Sequence, residues 1–69
     1  MIEVFKTNVH RATEAHRLVS LLLNHFPGSK INFDLDDCDK VLRVEGRNFI
    51  TEKVMHLVQE NGFSCAVLD

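Results

Sequence analysis

The chain contains neither tryptophan nor tyrosine, and its eight lysine and arginine residues are spread along a sequence with a net charge of −2. Binding to nucleic acid phosphates requires a clustered positive surface, and stacking on unpaired bases uses aromatic rings. The basic residues form no such cluster, and the chain has no Trp or Tyr to stack bases. We therefore expect no nucleic-acid partner.

Long apolar segments are also missing. Uninterrupted apolar runs are short, such as the three leucines at residues 21–23, and lie far below the roughly 20 residues needed to span a bilayer. Residues 1–5 combine neither a positive segment nor a long apolar stretch, so they do not have the pattern of a signal peptide. These absences predict a cytoplasmic protein without a membrane partner, in which Cys38 and Cys65 are free thiols.

Proline and glycine are scarce, with one proline and three glycines in 69 residues. There is no linker composition, no low-complexity tract and no internal repeat. The hydrophobic fraction of 45% is ordinary for a globular protein and argues against disorder. We therefore predict a single domain over residues 1–69.

The apolar residues change their period along the chain. Strict alternation, as in Ile2 and Val4, is typical of a half-buried strand, and recurrence at steps of three and four is typical of an amphipathic helix. Thr7 and Asn8 are both good N-cap residues for the first helix. The predicted order is strand, helix, strand, strand, helix, strand, at residues 2–7, 9–26, 31–35, 42–45, 50–61 and 63–68.

This order predicts an α+β fold of the ferredoxin-like βαββαβ type. Right-handed crossovers give a four-stranded antiparallel sheet in the order 4-1-3-2, with both helices on one face. The turn after the first strand, the hairpin at Cys38 and the turn at residues 62–63 then lie at the same end of the sheet. Cys38 and Cys65 lie toward opposite edges of that end and are not expected to form a disulfide.

The chain resembles the heavy-metal-associated domain of copper chaperones and metal-pumping ATPases over its whole length. The resemblance rests on the first strand, on the turn at residues 7–12 and on the segments at residues 33–35, 41–46 and 58–63. It implies the same fold and a habit of docking to a similarly shaped protein. Gly62 and Phe63 match the Gly-Tyr/Phe pair of that family, and we expect Phe63 to be a core residue.

The metal motif of that family, Met-x-Cys-x-x-Cys, is degenerate in this chain. It falls on Thr7, Val9 and Ala12, and neither valine nor alanine has a lone pair to offer a metal. Two thiolates at a helix N-terminus are what hold Cu(I) in that family, since the helix dipole favours the thiolate. The copper chemistry implied by the resemblance therefore does not carry over to these residues.

A substitute metal site is the alternative. His10 lies in the same turn, and Cys38 is flanked by aspartates in the hairpin at the same end of the sheet. Imidazole and thiolate are ligands for copper or zinc. The simpler interpretation is that His10 is an exposed residue of the first turn and that the aspartates are turn formers, since no Cys-x-x-Cys or His-x-x-x-His is present.

Catalysis is not expected, because no nucleophile and base occur at a motif spacing and no glycine loop is available for a phosphate. The remaining hypothesis is association. The two edge strands, around residues 31–35 and 64–68, leave backbone groups unpaired, and the second carries no charge before Asp69. We therefore predict a small binding module that contacts a protein partner, or a second copy of itself, through an edge strand; the alternative is a monomer whose edge strand is short, twisted and frayed.

Overall fold

The structure is a computed structural model that describes residues 1–68, so that Asp69, the last residue of the predicted domain, lies outside the described part. The elements follow the predicted order of strands and helices. They are β1 (Ile2–Thr7), α1 (Ala12–His25), β2 (Lys30–Asp34), β3 (Val41–Glu45), α2 (Thr51–Glu60) and β4 (Cys65–Val67).

The four strands form one antiparallel sheet in the order β2-β3-β1-β4. Read from the other edge, this is the predicted order 4-1-3-2, and the ferredoxin-like fold is confirmed. The two central strands, β1 and β3, pair with Phe5 opposite Leu42. β2 and β4 are the edge strands, as expected.

The core lies between the sheet and the helices. Phe5, Leu42 and Val44 of the central strands are completely buried. They belong to a cluster with the buried face of each helix, and a smaller cluster around Val9 and Leu18 adjoins it. Phe33 and Phe63 pack against both clusters while remaining partly exposed, so the expected core position of Phe63 is confirmed in part.

The first helix begins later than predicted, and the predicted caps are wrong. α1 starts at Ala12 rather than residue 9, and Arg11 occupies the N-cap position without a side-chain capping hydrogen bond. Thr7 instead ends β1, and the Asn8 side chain accepts a hydrogen bond from the Ser64 N–H at 2.8 Å. Both polar side chains serve tertiary contacts, which local helix propensity does not register.

The last strand is shorter than predicted, at three residues. Because the Asn8 side chain takes the Ser64 N–H, the backbone ladder with β1 starts only at Cys65, opposite Thr7. The predicted reversal after α2 is confirmed, since Gly62 has a φ of +92°. Within residues 1–68, neither helix is long and apolar enough to cross a membrane.

Candidate functional site

The turn after β1 and the β2–β3 hairpin meet at one end of the sheet, as predicted. The Thr7 N–H donates to the Asp39 carbonyl at 2.9 Å, and the Thr7 hydroxyl donates to the Lys40 carbonyl. Lys40 has a φ of +45°, an irregularity that directs two successive carbonyls at Thr7. The same hydroxyl accepts from the Val9 N–H at 3.2 Å, so this side chain fastens the loop to the hairpin.

The positions that correspond to the thiol motif have structural roles. Val9 is completely buried in the smaller core cluster. Ala12 is exposed and is the first residue of α1. The turn is therefore a packed helix entrance and carries no soft ligand at these positions.

The structure does not combine His10 with Cys38 in one ligand group. Within residues 1–68, one set of three or more potential ligands has its ligand atoms within 4.8 Å of one another, and it consists of Asp37, Cys38 and Asp39. The Asp37 carboxylate also accepts from the Asp39 N–H at 2.9 Å, which is the expected turn-forming contact. His10 is exposed in the loop before α1 and is not part of this set.

The two cysteines are free thiols in different surroundings. Cys38 is exposed in the hairpin, whereas Cys65 is 5% exposed and packs in the core. Burial raises the pKa of the Cys65 thiol from 9.0 to about 11. Cys65 is therefore a small buried hydrophobe at neutral pH.

The edges of the sheet can be compared by where their backbone groups point. Met1 and Gly46 exchange both backbone hydrogen bonds, at 2.9 and 3.0 Å, which sets the alternation between β1 and β3. In the β2–β3 register, the same alternation directs the backbone groups of Lys30, Asn32 and Asp34 toward β3. The N–H and C=O groups of Ile31 and Phe33 therefore point outward from the free edge, in the plane of the sheet. β2 thus presents two residues to a further strand.

The β4 edge is partly covered. The Leu68 N–H donates to the Val4 carbonyl at 2.9 Å, and the same alternation places the backbone groups of Cys65 and Val67 on the outer side. The Gln59 side chain of α2 donates to the Cys65 carbonyl at 3.0 Å. One of the outward acceptors of this short edge is therefore already satisfied.

A groove lies beside the open β2 edge, between this strand and α1, with a volume of about 340 Å³. His16 and Asn32 are its polar lining residues. The apolar lining side chains are Ala12, Ala15, Val19, Ile31, Phe33 and Leu35. The edge and the groove together form a surface of unpaired backbone groups next to an apolar trough, which we call the β2 surface.

The sequence predicts two edges, of which the one around residues 64–68 carries no charge before Asp69. The Gln59 side chain of α2 covers part of that edge through its bond to the Cys65 carbonyl. The groove itself was not predicted. Its signal in the sequence is the apolar stripe of α1, since Ala12, Ala15 and Val19 of that stripe line the groove.

No protein-family model matches the chain, and no curated protein or solved structure is detectably similar to it. A relationship to heavy-metal-associated domains is therefore a hypothesis that rests on the resemblance of the sequence and on the shared fold.

Proposed function

We propose that the protein is a small non-enzymatic binding module that receives an extended segment of a polypeptide at the β2 surface. The observation that carries this proposal is the open edge at Ile31 and Phe33 beside an apolar groove. Strand addition to a sheet edge is a recurrent form of peptide recognition. In it, main-chain hydrogen bonds provide affinity and pockets for alternate side chains provide specificity.

The geometry supports this form of binding for a simple reason. Side chains of an added strand alternate between the two faces of the sheet. Every second side chain would therefore lie on the helix side, over the groove between Val19 and Phe33. The bound segment would exchange backbone hydrogen bonds with Ile31 and Phe33 and bury apolar side chains in the same step.

A relationship to heavy-metal-associated domains, if it exists, would agree with the shared fold and with docking to a protein. The thiol metal site of that family is not part of the proposal. The proposed location is the cytoplasm, with which the free thiols Cys38 and Cys65 agree. No role for nucleic acid is proposed.

Selection from a random peptide library, followed by titration of the best peptide into isotope-labelled protein, tests this function. Amide resonances of Ile31 and Phe33 are expected to move in the NMR spectrum. Val19→Glu places a charge in the groove and is expected to abolish binding, because an unpaired carboxylate in an apolar site loses hydration. Ser20→Glu, one position along α1 at an exposed residue, is the matched control and should bind normally.

Two outcomes would contradict the proposal. One is that selection returns no peptide with measurable affinity. The other is that the resonance shifts of the selected peptides map to β4 or to the face of α2 rather than to β2.

Metal binding at the hairpin is a second candidate, favoured by the proximity of the ligand atoms of Asp37, Cys38 and Asp39. Carboxylate oxygen and thiolate sulfur are both ligands of zinc, and thiolate is a ligand of Cu(I). Equilibrium dialysis with Zn(II) and Cu(I) tests it. Cys38→Ser should abolish binding and His10→Ala should leave it unchanged, whereas absence of binding to the wild-type chain would exclude this site.

A further inference from the structure

We infer that the polypeptide received at the β2 surface is the β2 strand of a second copy of this chain, paired antiparallel across a two-fold axis at Asn32. This inference rests on the proposed function and names its partner. The paired strands would join two four-stranded sheets into one continuous sheet. Both helix layers would then lie on the same face.

Charge along β2 is distributed so that the strand complements itself. The strand reads Lys-Ile-Asn-Phe-Asp, with a positive side chain at its start and a negative one at its end. In the antiparallel arrangement centred on Asn32, Lys30 lies opposite Asp34 of the second copy, and Asp34 lies opposite the second Lys30. Opposite charges placed directly across a strand pair are favourable, and like charges are unfavourable.

Parallel pairing in register would place each of these charges opposite its own equivalent. The strand is therefore complementary to itself in the antiparallel direction only. Asn32 meets its equivalent at the axis, and a primary amide can both donate and accept a hydrogen bond there.

The direction of the backbone groups agrees with the same centre. Only residues whose backbone N–H and C=O groups point outward from the sheet edge can form hydrogen bonds with a further strand, and on β2 these are Ile31 and Phe33. The arrangement centred on Asn32 places Ile31 opposite Phe33 of the second copy, so the outward groups of both copies face each other. This centre is also the one that uses all five residues of the strand.

Apolar area beside the edge is available for the second copy to cover. The two-fold axis brings the flanks of the two α1 helices together above the joined strands. Val19 is half-buried and Leu23 is 38% exposed on this flank, so both have apolar surface left to bury. Burial of this surface and the backbone hydrogen bonds would provide the affinity, while the exposed charge pairs would select the register.

Charge reversal tests the register directly by sedimentation equilibrium from about 10 µM to about 1 mM, a range over which mass action shifts a weak dimer. The wild-type chain is expected to dimerise. Lys30→Glu and Asp34→Lys each create two like-charge pairs, and each should weaken the dimer about tenfold or more. An equimolar mixture of the two variants should form a heterodimer, and the double variant should dimerise like the wild type.

Matched controls carry the same charge changes on the exposed face of α2. Lys53→Glu and Glu60→Lys should dimerise normally, because neither residue lies on β2. Circular dichroism confirms that each variant is folded, which matters because Lys30 also faces Glu45 of its own sheet. The heterodimer and the double variant restore pairing with the same mutated residues, so general damage to the fold cannot mimic this result.

The outcomes separate this inference from the proposed function. A wild-type chain that stays monomeric, or single variants that dimerise as well as the wild type, would overturn the dimer. If a library peptide then still binds at β2, the strand-binding function stands with another partner. If no peptide binds either, both proposals fail.

Discussion

Thr7 shows how one side chain replaces an expected local role with a tertiary one. Its hydroxyl donates to the Lys40 carbonyl and accepts from the Val9 N–H, while its backbone N–H donates to Asp39. The residue is 7% exposed, so water does not readily substitute for these partners. This position corresponds to the methionine in the metal motif of the heavy-metal-associated domains that the chain resembles. Here it is a threonine that links the end of β1 to the β2–β3 hairpin through hydrogen bonds.

Replacement of Thr7 by valine keeps the shape and removes the hydroxyl. It would leave a buried N–H and a carbonyl without this partner, and the free energy of unfolding should fall by about 1–3 kcal/mol. Urea denaturation followed by circular dichroism measures the change. Thr13→Val, at an exposed position in the first turn of α1, should change the stability by less than about 0.5 kcal/mol. Equal effects of the two substitutions would contradict the role assigned to Thr7.

Cys65 makes the stability depend on pH in a defined direction. Because burial raises its pKa from 9.0 to about 11, the folded chain retains the thiol proton at pH values where the unfolded chain loses it. The contribution of this thiol to stability is therefore complete below the unfolded pKa and is lost as the pH rises through the folded one. The free energy of unfolding of the wild type should thus decrease more steeply between about pH 9 and pH 11 than that of Cys65→Ala.

Cys38→Ala is the control for this experiment, because Cys38 is exposed. It should retain the steep decrease of the wild type. Parallel pH curves for wild type and Cys65→Ala would show that the buried thiol does not titrate differently in the folded chain.

At the scale of elements, the two edges of the sheet differ in how they are protected. β4 is three residues long and has the Gln59 side chain on its outer carbonyl, whereas β2 has five residues and an apolar groove beside it. Short edges and covering side chains are common ways of preventing unwanted strand pairing. The contrast explains why association is assigned to β2.

Gln59→Ala is expected to loosen β4. Loss of one net hydrogen bond should lower the free energy of unfolding by about 0.5–1.5 kcal/mol. Hydrogen exchange of the Leu68 amide, which bonds Val4 across the strand pair, should become faster. Glu60→Ala, at the neighbouring exposed position, should leave that exchange rate unchanged. If Leu68 exchanges at the wild-type rate in Gln59→Ala, the side chain does not support the edge.

At the scale of the whole molecule, small size makes association relevant to stability. A chain of 69 residues buries only about 60% of the surface of its unfolded form, so additional burial on dimerisation is a sizeable gain. The exposed flank of α1, including Leu23, is surface of this kind. The monomer fold and the dimer are then linked by mass action.

The melting temperature should accordingly rise with protein concentration. Between about 10 µM and about 1 mM, we expect an increase on the order of 5 °C for the wild type, because only the folded chain dimerises. Asp34→Lys should show a much smaller increase over the same range. Scanning calorimetry at several concentrations measures both, and a melting temperature independent of concentration in the wild type would argue against the dimer.

The element order and the sheet order followed from the sequence alone. Alternation in residues such as Ile2 and Val4, helical spacing in the two amphipathic segments and the glycine after α2 are local signals, and right-handed crossovers select one sheet order. These features depend on near neighbours in the chain, which is why they could be predicted.

The candidate site was decided only by the tertiary structure. Thr7 and Asn8 form hydrogen bonds with distant segments instead of capping α1, and the Gln59 side chain of α2 bonds to β4. His10 lies apart from the ligand group that contains Cys38. Each of these features depends on how separate elements pack together. Local patterns carry no information on which of several polar partners a side chain will meet. The sequence determined that the sheet has two edges, and three-dimensional packing determined that Gln59 covers part of β4 and that an apolar groove lies beside β2.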